Sequence, residues 1–112
     1  DQQWHLARVA FAGGSLWLRD AGMPLGKPVR LRVLARDVSI ASAEPSQTSI
    51  QNHLPCVIQS IAEDQHPSQA LLRVACGDAI LLARVTRRSV DALGLHPGKA
   101  AWVQVKSVAL IE

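Results

Sequence analysis

An internal repeat is the feature that most constrains how this chain can fold. Four segments of the first half resemble four segments of the second half, in the same order: residues 8–14 with 73–77, 24–27 with 96–99, 29–33 with 101–105, and 38–41 with 108–111. One β-hairpin cannot bury its own apolar face. The repeat therefore predicts two small β units, each built as hairpin, turn, strand and strand, packed against one another.

Alternating side chains indicate that most of these segments are strands. Residues 29–34 place Val29, Leu31 and Val33 on one face and two arginines on the other, which is the period of a half-buried strand. Gly13-Gly14 and Gly77-Asp78 are suited to hairpin turns. Pro55 fits an edge position or the first residue of a strand that runs over residues 54–61.

One segment has helical features. Thr86 is suited to the N-cap, and Gly94 is placed to end the helix. The predicted fold class is therefore all-β with one short helix, closed as a small OB-like barrel built from two repeated β units.

Length and composition predict one compact domain. With 112 residues, of which 48% are hydrophobic, the chain can bury one modest core. Within it, residues 1–44 form the first, structural β half, and residues 45–112 form the second. The chain opens at Asp1 rather than at methionine, so we expect a piece of a longer protein. No run of apolar residues is long enough to span a membrane, and no signal peptide is present.

Several function classes fit the composition poorly. The net charge of +3 is mild, the arginines are scattered, and tyrosine is absent, which argues against nucleic-acid binding. No P-loop or other catalytic motif occurs, so we expect no enzyme activity in this chain. The four histidines are spread across turns and predict no metal cation. Cys56 and Cys76 lack a metal-ligand spacing, and we expect them to be reduced and buried in a cytosolic protein.

The polar stretch at residues 48–55 is the candidate binding segment. It is rich in neutral hydrogen-bond donors, which can converge on an oxyanion without requiring the anion to be protonated. The alternative is an ordinary polar linker in which Ser49 and Asn52 make local turn bonds. His53, next to this stretch, either tunes the site with pH or is an ordinary packed or solvated side chain.

The order of short motifs along the chain resembles the molybdate-binding MOP or TOBE domain. The resemblance is carried by Thr-Ser-Ile-Gln-Asn at residues 48–52, and by residues 85–90, 93–99 and 105–108. Residues 13–17 and 36–39 further resemble the C-terminal regulatory region of the ATP-binding subunit of bacterial molybdate transporters. The family implies an OB-like fold, dimerisation, and oxyanion sites between protomers.

The resemblance also implies which residues contact the anion. Ser49 and Asn52 match one family element, in which Gln51 stands where arginine is usual, and Lys106 and Ser107 match the other. Two further candidates lie at the predicted start of the helix: Thr86 and Ser89. In the first repeat, Arg36-Asp37 occupies the position of Lys106-Ser107, and a carboxylate repels a dianion. We therefore expect the first repeat to be structural.

The predicted function follows from this resemblance. The chain would be the regulatory domain of a molybdate-import ATPase that binds molybdate or tungstate at a homodimer interface. Its other partners would be the ATPase domain and the membrane subunits of the transporter, without nucleic acid. It would be cytoplasmic and peripheral to the inner membrane. The alternative is a structural dimerisation domain that has lost its ligand, which the replacement of arginine by Gln51 favours.

Overall fold

The computed structural model describes residues 6–11, 14–19 and 30–111. Within these residues the chain forms nine strands, one α-helix and a 3-10 turn at Ala35–Asp37. The strands are β1 (Leu6–Phe11), β2 (Gly14–Arg19), β3 (Arg30–Arg32), β4 (Val38–Ala41), β5 (Asn52–Glu63), β6 (Gln69–Cys76), β7 (Ala79–Thr86), β8 (Ala100–Val105) and β9 (Ala109–Ile111), and the helix is α1 (Arg87–Leu93). The predicted loop at residues 20–27 and the predicted strand start at Trp4 lie outside the described residues.

Five antiparallel strands form the main sheet, in the order β4-β8-β5-β6-β7. The sheet is strongly curled, because its two edge strands, β4 and β7, contact one another. It therefore forms a half-barrel with an enclosed core. This architecture confirms the predicted OB-like, mostly β fold with one short helix.

Alternation along the strands fills the interior of the barrel. On β6 every second side chain points inward, and Leu72, Val74 and Cys76 are fully buried. Ala70 on the same strand is also buried, and the other buried side chains come from six further parts of the described chain: Leu16, Val38, Leu54, Cys56, Ile58, Ala83, Leu95, Ala101, Val103 and Val105. Burying a valine or leucine side chain stabilises a fold by about 1.5–3 kcal/mol. The strands thus supply nearly all of the buried side chains in the described residues.

The two repeats exchange strands in equivalent registers. β4 of the first repeat pairs with β8 of the second, with Ile40 opposite Val103. Reciprocally, β3 of the first repeat pairs with β9 of the second, with Leu31 opposite Leu110. In the sequence repeat, position 31 corresponds to 103 and position 40 to 110. The two ladders are therefore residue-for-residue counterparts, and each repeat contributes one strand to the other.

Helix α1 begins and ends where the sequence predicts. The Oγ1 atom of Thr86 accepts a hydrogen bond from the Ser89 N–H at 3.1 Å, and Gly94 adopts a left-handed conformation with φ of 61°. The ammonium group of Lys99 donates to the Leu93 carbonyl oxygen. These contacts satisfy backbone groups that the ends of a short helix leave unpaired.

Strand β5 is longer than predicted and contains Pro55 in its interior. The backbone of Ile58 bonds toward β8, since its N–H donates to Lys99 and its carbonyl oxygen accepts from Gly98. By alternation, the nitrogen of Pro55 points to the other side of β5. There the ladder with β6 begins only at Val57, so Pro55 removes no hydrogen bond from the sheet.

The β1–β2 hairpin packs closely against β5 at Gly14. This residue has a φ of +138°, and a Cβ atom placed on it would lie 2.8 Å from the Cδ2 atom of Leu54. Leu54 is itself buried, with 6% of its surface exposed. Glycine at this position therefore provides both the turn conformation and the close approach of the hairpin.

Substituting Gly14→Ala should lower the free energy of unfolding by about 2–4 kcal/mol, because strain at φ adds to overpacking against Leu54. The matched control is Gly98→Ala. Gly98 also has a positive φ, at 90°, but nothing lies within 4 Å of the added methyl group. Urea denaturation of both variants separates the two contributions. Equal losses in the two variants would show that the contact with Leu54 contributes nothing.

Candidate functional site

The sheet register brings the two predicted anion-contacting elements together. Asn52, the first residue of β5, lies opposite Val105, the last residue of β8. Because these strands are antiparallel, the residue before Asn52 and the residue after Val105 lie side by side at the same end of the sheet. Gln51 and Lys106 are therefore the first residues beyond the same end of the ladder, with Ser49 and Ser107 in the same two segments.

Thr48 holds the polar segment against the end of β8. Its Oγ1 atom accepts a hydrogen bond from the Ile50 N–H at 3.2 Å and one from the Gln104 side chain at 3.5 Å. Gln104 lies on β8, two residues before Lys106. The segment before β5 is thus folded over the end of β8, and its Ser49 and Gln51 side chains are exposed to solvent.

Asn52 has a second role that its sequence position does not reveal. Its side-chain carbonyl oxygen accepts a hydrogen bond from the Trp17 N–H, and its amide group donates to the Trp17 carbonyl oxygen, both at 2.7 Å. The side chain therefore acts like one residue of a neighbouring strand and joins β2 to β5. One amide hydrogen of Asn52 remains beyond this pair of bonds for any further contact.

Lys106 provides positive charge at this end of the sheet. Its side chain is exposed, and its backbone N–H donates to the Asp37 carbonyl oxygen at 2.8 Å. Asp37 ends the 3-10 turn and is the counterpart of Ser107 in the repeat. The first repeat, expected to be only structural, therefore places a carboxylate-bearing residue directly beside Lys106. Any anion bound here experiences both charges.

The structure does not bring Thr86 and Ser89 to the other five predicted residues. Thr86 is the last residue of β7 and pairs with Gln69, the first residue of β6. This end of β6 lies beside Glu63, the last residue of β5, whereas Asn52 is the first residue of β5. Its hydroxyl group is 2.8 Å from the hydroxyl group of Ser89 and also caps α1. Both side chains therefore serve the start of the helix.

His53 and Trp102 form a feature that sequence reasoning identified only in part. The His53 ring makes an edge-on contact with the Trp102 ring, with centroids 5.9 Å apart. The Nδ1 atom of His53 is buried without a hydrogen-bond partner among the described residues. Trp102 was missed, although alternation with the buried Val103 and Val105 places it on the outer face of β8. The contact fixes His53 beside the candidate anion site.

No three histidine, cysteine, aspartate or glutamate side chains within residues 6–11, 14–19 and 30–111 come together as metal ligands. In the same residues, no helix has both the length and the apolar character needed to cross a bilayer.

Substituting Asn52→Asp should lower the free energy of unfolding by about 1–3 kcal/mol. The carboxylate can still accept from the Trp17 N–H, but it leaves the Trp17 carbonyl oxygen without a donor and places negative charge beside it. Asn52→Ala removes both bonds and should cost a similar amount. Thermal or urea denaturation, with hydrogen exchange at the Trp17 amide, measures the effect. An unchanged exchange rate at Trp17 in both variants would contradict the bonded geometry.

Comparison with known proteins agrees with this architecture. The TOBE domain family matches residues 48–111. The chain is 54% identical over its whole length to the molybdenum import ATP-binding protein ModC of Methylococcus capsulatus, and 52% identical over 99% of its length to ModC of Thiobacillus denitrificans. It spans 32% and 31% of these relatives, or about one third of their length.

A solved structure shares the fold. The cytoplasmic molybdate-binding protein ModG, with molybdate bound, superposes with a TM-score of 0.80 at 22% sequence identity, over 94% of this chain and 82% of ModG. The match to the TOBE domain family begins at residue 48, in the polar segment before β5, and continues through β8 and β9. The chain belongs to the TOBE domain family.

Proposed function

We propose that this chain is an oxyanion-binding regulatory domain of a molybdate-import ATPase and that it binds molybdate or the closely similar tungstate. The observation that carries the proposal is the register of β5 and β8: Asn52 lies opposite Val105, so the segment before β5 and the segment after β8 leave the sheet at the same end. The similarity to ModC proteins over the whole chain supports the biological setting. In that setting the domain is joined to an ATPase domain and acts with membrane subunits on the cytoplasmic side.

In the proposed site, one group supplies the positive charge and other groups supply oriented hydrogen bonds. Lys106 supplies the positive charge, while the hydroxyl groups of Ser49 and Ser107 and the amide of Gln51 donate hydrogen bonds. A fully deprotonated tetrahedral dianion matches these donors, because none of them requires a proton from the ligand. Asn52 contributes mainly by holding the segment to β2. Gln51 lacks the charge of the arginine usual in the family, which weakens the site.

A second copy of the chain completes the proposed binding unit. The outer face of the sheet carries partly exposed apolar side chains at Val57, Ile80 and Leu82, with 44%, 40% and 46% of their surfaces exposed. Val57 and Ile80 both lie opposite Ala75 and so form one row across β5, β6 and β7. Such a row favours association. Sedimentation equilibrium should show a dimer, and Leu82→Glu should weaken it, whereas a monomer at micromolar concentration contradicts this part of the proposal.

Removing the charge of Lys106 should cost most of the affinity. A charge-assisted hydrogen bond contributes about 1.5–3 kcal/mol, so Lys106→Ala should weaken molybdate binding about tenfold or more. The matched control is Arg88→Gln, which removes one positive charge from the exposed surface of α1. Isothermal titration calorimetry at constant salt, with molybdate, sulfate and phosphate, makes the measurement. If both variants lose the same affinity for molybdate, the loss comes from the lower net charge of the protein and Lys106 does not contact the anion.

Two further variants in the same titration should tighten binding. Gln51→Arg restores a charged donor next to Lys106. Asp37→Asn removes the carboxylate next to Lys106 while keeping the backbone bond to the Lys106 N–H, and should raise affinity roughly threefold to tenfold. If neither variant changes affinity while Lys106→Ala still weakens binding, the anion contacts neither Gln51 nor the neighbourhood of Asp37, and the site as proposed is wrong.

The alternative function is structural dimerisation without a ligand. The engagement of both polar groups of Asn52 with Trp17 favours it, since a key donor of the segment already has a structural use. In that case the unsubstituted chain gives no binding heat in calorimetry with molybdate, sulfate or phosphate, and it still forms a dimer. Binding of molybdate by the parent protein eliminates this alternative.

A further inference from the structure

Two thiols that the proposed site does not use face one another inside the barrel. Val57 on β5 pairs with Ala75 on β6, so one further step in the register places Cys56 opposite Cys76. Both side chains are free and buried, with 5% and 0% of their surfaces exposed. The Cys56 thiol is hydrogen-bonded to Cys76. The two side chains therefore lie on facing positions of neighbouring strands, both directed into the core.

The backbone between these residues has the spacing that a disulfide requires. The backbone groups of Ile58 bond toward β8, and by alternation those of Cys56 do the same. Cys56 and Cys76 are therefore a non-hydrogen-bonded pair of the β5–β6 ladder. Cα atoms of such pairs are about 4.5 Å apart. A disulfide spans roughly 4.4–6.8 Å between Cα atoms, so the typical spacing of this kind of pair lies within the range of the bond, near its lower limit.

The two thiols differ in acidity, which assigns their order of reaction. The hydrogen bond to Cys76, followed by burial, raises the pKa of the Cys56 thiol. The same hydrogen bond lowers the pKa of Cys76, against the opposing effect of burial. Because the thiolate is the reactive form of cysteine, the lower pKa assigns the first reaction to Cys76 and the resolving role to Cys56. Since Cys76 is fully buried, an oxidant reaches it when the β5–β6 ladder opens locally.

We propose that Cys56 and Cys76 form a reversible oxidation site, which a peroxide converts to an intramolecular disulfide. The Cys76 thiolate attacks one peroxide oxygen, the O–O bond breaks, and the departing oxygen takes up a proton to leave as water. Cys76 is then a sulfenic acid. The Cys56 sulfur attacks Cys76 Sγ, the S–O bond breaks, and a second water leaves with the proton of Cys56. Two electrons pass from the sulfurs to the peroxide.

The disulfide would join β5 directly to β6. It closes the loop formed by residues 56–76 and so restricts the unfolded chain, while the folded strands keep their register. We expect the melting temperature to rise by on the order of 10 °C. Asn52, at the start of β5, keeps its bonds to β2 and its ladder with β8, so the change does not depend on anion binding.

Hydrogen peroxide applied to the reduced protein tests this proposal. The intact mass should fall by two hydrogen atoms, no thiol should be titratable after denaturation, and the melting temperature should rise. Dithiothreitol should reverse all three changes. Cys56→Ala should stop the reaction at a Cys76 sulfenic acid that dimedone traps, and Cys76→Ala should show neither the disulfide nor rapid dimedone labelling.

Three results would overturn it. The first is two unmodified thiols after peroxide treatment under conditions that fully oxidise glutathione. The second is a disulfide between molecules, detected as a covalent dimer on a non-reducing gel. The third is an intramolecular bridge that lowers the melting temperature, since this would show that the strands must move to form it.

Discussion

The pairing of strand β8 with strands from both repeats is the constraint on which the rest of the structure depends. The first repeat supplies β4 on one side, and the second supplies β5 on the other. Its alternate side chains Ala101, Val103 and Val105 are buried in the barrel core. Its end at Val105 aligns Val38 and Asn52 in one row across three strands. The candidate site is the continuation of that row beyond the end of the sheet.

The exchange of strands between repeats explains why the site combines residues that are distant in sequence. Since β4 leads directly out of the 3-10 turn, its pairing with β8 places Asp37 against Lys106. The pairing of β5 with the other side of β8 places Gln51 there too. The end of β8 thus carries the cation Lys106, with the neutral donor Gln51 on the β5 side and the acidic Asp37 on the β4 side. In the function proposed above, the balance of these groups sets the affinity for a dianion.

The hairpin β1–β2 is attached by two contacts of different kinds. Asn52 supplies a pair of hydrogen bonds to Trp17, and Gly14 permits close packing on Leu54. Both contacts fall on the first three residues of β5, beside the candidate site. The polar segment of residues 48–52 therefore has a structural use as well as a proposed binding use, and substitutions there must be tested for stability before affinity.

The sequence by itself determined the strands, the helix ends at Thr86 and Gly94, and the OB-like class, because alternation and capping are local properties. It also placed Ser49, Gln51 and Lys106 as candidates by resemblance. Only the tertiary structure decided that Asn52 binds Trp17, that Asp37 borders Lys106, and that Thr86 and Ser89 lie far from the other candidate residues. These outcomes depend on which strands pair and in which register. Pairing joins residues far apart in the chain, and no local pattern specifies it.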